Sequence, residues 1–153
     1  ISYSVTGVQT CALPIFVKTV QHSETMLAAA WLHDVVEDTP KNIDDIIVNF
    51  GLTVAVLVES LTDISRPEHG NRRTRKALDL KPTANALPAA KTIKLADLID
   101  NTRSIIVHDP AFARVYLEEK EALLEVLREG DQTLYQLARQ TLREAQATLG
   151  AHK

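Results

Sequence analysis

Residues 28–40 read AAAWLHDVVEDTP, an apolar run that ends in four ionisable side chains, His33, Asp34, Glu37 and Asp38, within six positions. An apolar helix segment carries such residues into the interior or a cleft, so a site is expected there. On an ideal helix His33 and Glu37 lie four apart, as do Asp34 and Asp38, and the two pairs form adjacent ridges on one side. A divalent ion and a water fit that arrangement together. Imidazole beside carboxylate suits a borderline-to-hard ion such as Mn²⁺, Fe²⁺ or Zn²⁺. The plainer reading is a solvated helix terminus stopped by Pro40. Against it, carboxylates near a helix C-terminus oppose the macrodipole, a cost that a compensating cation relieves. A metal centre still needs a second half-site elsewhere.

Composition sets the frame for that search. The chain has 153 residues, 45% of them hydrophobic and 24% charged, which is one domain of ordinary size with a real core. A formal net charge of -3 gives no bulk attraction to nucleic acid, so an anionic ligand must be drawn by a local basic patch. No apolar run approaches the roughly 18 residues that a bilayer span requires, so a membrane protein is not expected. The single Cys11 excludes an internal disulfide and fits a reducing cytoplasm.

The first sixteen residues read differently from the rest: Ile1 to Phe16 carries no charge and no clear helical period. Its string VTGVQTCALPI looks like translated sequencing-adapter sequence, of the kind kept out of fold reasoning, with a native strand or helix as the alternative. The expected organisation is therefore a non-native or disordered segment over 1–16 and a single helical domain over 17–150.

From Val17 onward the pattern is helical. Ser23 is a good N-cap for a helix through Met26, Leu27, Ala30 and Trp31 to the His-Asp pair, and this helix is expected to be buried. Asn42 can cap the next, whose stripe of Ile43, Ile46, Ile47 and Phe50 runs to Gly51, a left-handed C-terminal residue. A further helix is expected from Thr53 to about Leu61. DISRPEHGN, Asp63 to Asn71, reads as a loop, and so does KPTANALP, Lys81 to Pro88. Between them RRTRK, Arg72 to Lys76, is either a solvated basic helix face or a phosphate-binding arm. Towards the end, Asp109 before Pro110 reads as an N-cap, Ala111 to Arg128 as an amphipathic helix, and Asp131 as the cap of a last helix over Thr133 to Leu149.

The second informative stretch is Ala89 to Ile106, AAKTIKLADLIDNTRSII. Asp97 borders the apolar stripe of Ile93, Leu95, Leu98 and Ile99 and is expected to face inward or along a groove, with Asn101 one turn on and sharing its face. A carboxylate and an amide so placed can complete a metal's ligands and fix a substrate or water. The alternative is a buried Asp97 satisfied by Lys94 or Arg103.

HDVVEDT followed some sixty residues later by KLADLIDN resembles the HD-domain metal-dependent phosphohydrolases. Within them it is similar to the (p)ppGpp hydrolase domain of RelA/SpoT-type enzymes and their small stand-alone relatives. The likeness covers roughly Val17 to Leu127, with NFG near Phe50 and LTD at Leu61 to Asp63 in the family's order. It implies an all-α HD-like bundle and a cytoplasmic hydrolase that removes the 3′-pyrophosphate of (p)ppGpp or a related nucleotide, usually with Mn²⁺. Carried over by position, His33, Asp34 and Asp97 would be metal ligands. Glu37 and Asp38 would orient or deprotonate the attacking water. Asn101 would contact the nucleotide, and Lys76 and Arg75 would meet phosphate.

One departure stands out. The family's first metal-ligand histidine, in a YxxHP-like segment, would fall near Gly7, where no histidine stands. His22 does not substitute for it, since eleven helical residues would separate it from His33 by about 16 Å. The resemblance therefore implies an enzyme one ligand short. Beside it stand two other readings: a nucleotide-binding or regulatory HD domain without turnover, and a helical interaction module. The sequence says nothing of oligomeric state.

Overall fold

Local capping chemistry sets most of the helix boundaries. The computed structural model describes residues 12–151, and the described residues form nine α-helices and one 3₁₀ turn, with no strand. Helix α1 spans Ala12–Lys18 and α2 spans Glu24–Leu32. Ser23 caps α2 by accepting from the Met26 N–H at 3.2 Å. A short α3, Val35–Asp38, follows, then α4, Ile43–Phe50. At the start of α4, Asn42 and Asp45 cap each other's backbone N–H groups at 3.0 and 3.1 Å. Gly51, at φ +87°, turns the chain directly into α5, Leu52–Leu61, a left-handed φ that disfavours any side chain.

The 3₁₀ turn Pro67–His69 precedes α6, Arg72–Ala84, which is followed by α7, Pro88–His108, α8, Pro110–Val126, and α9, Gln132–Ala151. Asp109 caps α8 through the Phe112 N–H at 3.1 Å, and Asp131 caps α9 through the Leu134 N–H at 2.9 Å. The all-α class and these caps follow the sequence expectation.

Helix α7 is the axis of the fold. It packs against α1, α2, α5, α8 and α9, and Ile93, Leu95, Ala96, Leu98 and Ile99 have no exposed surface. A helix enclosed on so many sides shows little amphipathicity, because nearly every face is inside. Gly130, at the α8–α9 turn, lets the chain close onto this axis. A Cβ there would stand 2.8 Å from Leu95 Cδ1 and 3.1 Å from the Thr92 backbone nitrogen.

Three expectations are corrected. KPTANALP is not all loop: α6 continues to Ala84 with Pro82 inside it. Pro82 lies in the last turn, where Thr83 Oγ1 donates to the Asp79 carbonyl at 3.4 Å and keeps the chain wound. Trp31 is 60% exposed rather than buried; the inward side of α2 is instead taken by Met26, Leu27, Ala29 and Ala30. The third correction concerns the His-Asp helix and is described with the site. Residues 12–16, grouped by sequence with the N-terminal string, lie in α1, where Leu13 and Val17 join the core. Residues 1–11, including Gly7 and Cys11, lie outside the described residues.

Candidate active site

The helix expected to run through His33 and Asp34 stops at Leu32, and the chain turns at the His-Asp pair before α3 begins. The two i,i+4 ridges are therefore not formed on one continuous helix. The break brings the sequence neighbours together instead: His33 Nε2 lies 2.7 Å from Asp34 Oδ2. On the other side of the ring, Nδ1 donates to the Ala30 carbonyl at 2.9 Å. That bond fixes the ring and leaves the Nε2 lone pair facing Asp34.

Burial pulls the His33 imidazole down, but the Asp34 hydrogen bond and the fields of Asp97 and Asp34 outweigh it, and its pKa is raised. Two lone-pair donors 2.7 Å apart need a proton or a cation between them.

Asp97 comes from the buried middle of α7, 8% exposed. Its Oδ1 accepts from Asn101 Nδ2 at 2.6 Å, and its Oδ2 lies 3.7 Å from Lys94 Nζ. Asn101 thus shares the face of Asp97 as the spacing predicts, and the Lys94 partner of the plainer reading is present too. Burial pushes the Asp97 carboxyl up, yet the positive charges of Lys94, Lys120 and His33 bring it below the usual carboxylate range. Lys94 is correspondingly raised, the field of Asp97 and other carboxylates exceeding the cost of burying its ammonium.

Asp34, Glu37, Asp38, Asp97, Asn101 and Lys76 all line one cleft of about 970 Å³ between α3, α6, α7 and α8. Glu37 is anchored there, its Oε1 accepting the Asp63 N–H at 2.7 Å. Partial desolvation of its carboxyl, joined by the nearby Asp63 and Asp34 charges, outweighs that bond, so its pKa is raised. Lys76 Nζ binds Asp63 Oδ2 at 2.8 Å, and Asp63 sits below its ordinary value because Lys76 and Lys94 offset its burial. Arg75 does not line this cleft. His22 is exposed, with its Nδ1 donating to the Val20 carbonyl at 2.8 Å.

Sequence reasoning missed Lys94, Lys120 and Asp63 as cleft residues. Lys120 is the most informative. It stands on α8 with Nζ 4.9 Å from the Tyr116 ring centroid, and it makes no ion pair among the described residues. Burial, together with the like charges of Lys94 and Lys76, lowers its pKa to about 8. Its sequence context, EEKEALLE, carries no signal of this, because burial by other helices is invisible in a local charge run.

The donor set fits one side of a divalent cation: an imidazole nitrogen, a carboxylate oxygen beside it, and Asp97 close enough to act on His33. Among the described residues no three such groups converge tightly enough to close a coordination sphere.

The HD-domain family model matches residues 2–128, and the chain belongs to that family. Its relatives are of the MESH1/SpoT type. It is 42% identical over 87 residues to the Drosophila melanogaster guanosine-3′,5′-bis(diphosphate) 3′-pyrophosphohydrolase MESH1, an alignment covering 57% of this chain and 47% of that one. The Homo sapiens MESH1 is 39% identical over 80 residues, covering 52% and 43%. The chain thus spans about half the length of the curated relatives it matches. A solved metazoan SpoT ortholog, described as hydrolysing ppGpp, superposes with a TM-score of 0.75 at 30% identity, covering 88% of this chain and 78% of that one.

Proposed function

We propose that the chain is a metal-dependent phosphohydrolase acting on the 3′-pyrophosphate of (p)ppGpp or a closely related nucleotide. The observation that carries this reading is the meeting, in one cleft, of Asp34 beside His33, a buried Asp97–Asn101 pair, and the ammonium groups of Lys76, Lys94 and Lys120. Kinship with MESH1-type proteins supports the substrate class. His33, Asp34 and Asp97 are assigned as the ligands of a divalent ion; mixed nitrogen and carboxylate donors suit Mn²⁺, Fe²⁺ or Zn²⁺, and Mn²⁺ is the one that the family resemblance implies. Bound there, the ion supplies a Lewis acid and lowers the pKa of water.

The chain's own groups do the rest. Glu37 takes the proton from the attacking water, a task favoured by its raised pKa, and Asp38 orients that water. Asn101 contacts the nucleotide, and Lys76 meets phosphate. Water adds at the phosphorus joined to the ribose 3′ oxygen, and the bond from that phosphorus to the 3′ oxygen breaks. The 3′ oxygen leaves as a hydroxyl with the proton that Glu37 removed from the water, and the lysines of the cleft offset the negative charge of the pyrophosphate so released. No helix of the described residues is long and apolar enough to cross a membrane, and a cytoplasmic location fits a nucleotide substrate.

The test is release of pyrophosphate from ppGpp by this chain, with and without Mn²⁺. Release that needs the ion and falls by roughly 100-fold or more in Glu37→Gln is expected. A chain that retains no metal, cleaves no nucleotide and loses only stability in Asp97→Ala overturns the reading. The absence of a closed three-ligand cluster among the described residues favours a second reading, a regulatory HD domain that binds nucleotide without turnover. Saturable ppGpp binding with no pyrophosphate release selects it.

A further inference from the structure

The cations that line the main cleft differ in how they are held. Lys76 Nζ binds Asp63 at 2.8 Å, and Lys94 Nζ lies 3.7 Å from Asp97. Arg72 grips Glu119 through Nε and a terminal nitrogen at 2.6 and 2.8 Å, and Arg73 is exposed. Lys120 is the exception. It reaches the cleft from α8 with neither a hydrogen bond nor an ion pair to any described residue.

Arg72 and Lys76 are shared with a second cavity of about 690 Å³, formed by the segment from Thr62 to Arg66 and the first turns of α6. The wall between the two cavities is firm: buried Asp79 accepts the Ile64 and Ser65 N–H groups at 3.0 and 2.8 Å and the Ser65 hydroxyl at 2.8 Å. Lys120 lines the main cleft alone.

An aromatic face, rather than a carboxylate, holds this lysine. Phe112, Tyr116 and Lys120 are spaced four apart and share one ridge of α8. Lys120 Nζ stands 4.9 Å from the centroid of the Tyr116 ring. Tyr116 is buried, and Phe112 packs edge-to-face against it, with centroids 6.4 Å apart and planes at 61°. Arg72 completes the row, its guanidinium carbon 4.8 Å from the Phe112 centroid. The order is cation, ring, ring, cation. Burial, joined by the Asp97 charge, pushes the Tyr116 phenol above its ordinary range, so no phenolate forms to pair with Lys120. The attraction is that of a neutral π face for an ammonium. A carboxylate in that place would engage the N–H donors of the ammonium, whereas a ring leaves all three unspent.

We propose that Tyr116 is a positioning residue: its ring fixes the Lys120 ammonium in the main cleft and leaves the N–H donors of that ammonium for the pyrophosphate group of the substrate. The inference rests on the reading of this cleft as the place where pyrophosphate is released. It adds a residue that touches no substrate and acts only through Lys120.

A fluorinated ring series at position 116 tests it, because fluorine withdraws charge from the π face while hardly altering the volume of the ring. Tyr116→Phe and the same position carrying difluoro- and trifluorophenylalanine are titrated calorimetrically with inorganic pyrophosphate in the presence of EDTA, thermal melts confirming that each variant folds. Tyr116→Phe is expected to retain most of the wild-type affinity, and affinity then falls stepwise with fluorine, by roughly five- to tenfold across the series. In a Lys120→Met background pyrophosphate binds more weakly or not at all, and fluorine has no effect. Absence of saturable binding to the wild type, equal affinity across the ring series, or a fluorine effect that persists in Lys120→Met overturns the proposal. Should the fluorinated variants fail to fold, proton NMR of the wild type decides: the Lys120 methylene protons beside the ammonium sit upfield of their ordinary shift when the ring lies beneath them, and an ordinary shift sinks the idea. The two readings fail separately. A chain whose pyrophosphate affinity follows fluorine but which releases none from ppGpp keeps the role of Tyr116 and loses the hydrolase reading; one that releases it with no fluorine dependence does the reverse.

Discussion

The two halves of the candidate site are built in contrasting ways. Asp97 stands in the middle of the 21-residue α7, enclosed by five other helices, with its carboxylate held between Asn101 and Lys94. His33 and Asp34 sit at a joint between two short helices, and the Asp34 side chain is 48% exposed. One half belongs to the core and the other to a turn. Substitutions on the two sides should therefore separate chemistry from folding: on α7 the two are entangled, and at the joint they are not.

The largest effect is expected from Asp97→Ala. It strands Lys94 and Lys120 without their main counter-charge, so urea denaturation should register a loss of about 3 kcal/mol together with the loss of activity. Next comes Gly130→Ala, remote from the chemistry but against the same axis. The added methyl group meets Leu95 and the α7 backbone, and a cost of about 1–3 kcal/mol is expected in thermal melts, with the catalytic constants unaltered where the protein remains folded.

Lys120→Met should act in the opposite direction, stabilising the protein at pH 7 by on the order of 1 kcal/mol. The sign follows from linkage. The folded pKa of about 8 lies below the ordinary lysine value of 10.5, so below pH 8 the folded state bears the full cost of the charged group. Between those values the unfolded chain holds a proton that the folded chain has released, and wild-type stability rises with pH. The advantage of Lys120→Met should thus shrink as pH is raised from 7 to 10, and a constant difference would refute the assignment. The smallest stability effect belongs to Asp34→Asn, within about 0.5 kcal/mol of wild type because the group is half-exposed. Its effect on turnover should nonetheless match that of Asp97→Ala, and equal stability losses at the two positions would erase the contrast.

The same contrast governs what could be read from the sequence. Ser23, Asn42, Asp109 and Asp131 were legible as caps because an N-cap is a local bond between a side chain and a backbone N–H three residues on. The Asp97–Asn101 pairing was legible for the same reason, being one helical turn. The break at His33 was not, because no glycine or proline marks it. Pro82 misled in the other direction: α6 runs through it to Ala84 although its missing N–H forfeits a backbone hydrogen bond. Lys120 and the Arg72–Glu119 pair join residues far apart in sequence, and only the assembled helices bring them to one cleft. The resemblance carried by HDVVEDT and KLADLIDN singled out the residues of both halves of the candidate site, while their geometry had to come from the fold.

Asp79 has a consequence for dynamics. Its carboxylate, buried on α6, ties down the Ile64 and Ser65 amides in a segment that lies between two helices and has no regular ladder of its own. Those two amides should exchange with solvent deuterium far more slowly than their neighbours at Glu68 and Gly70. The partition between the two cavities then behaves as a fixed septum rather than a flap, and molecules filling one side should leave the shape of the other unchanged.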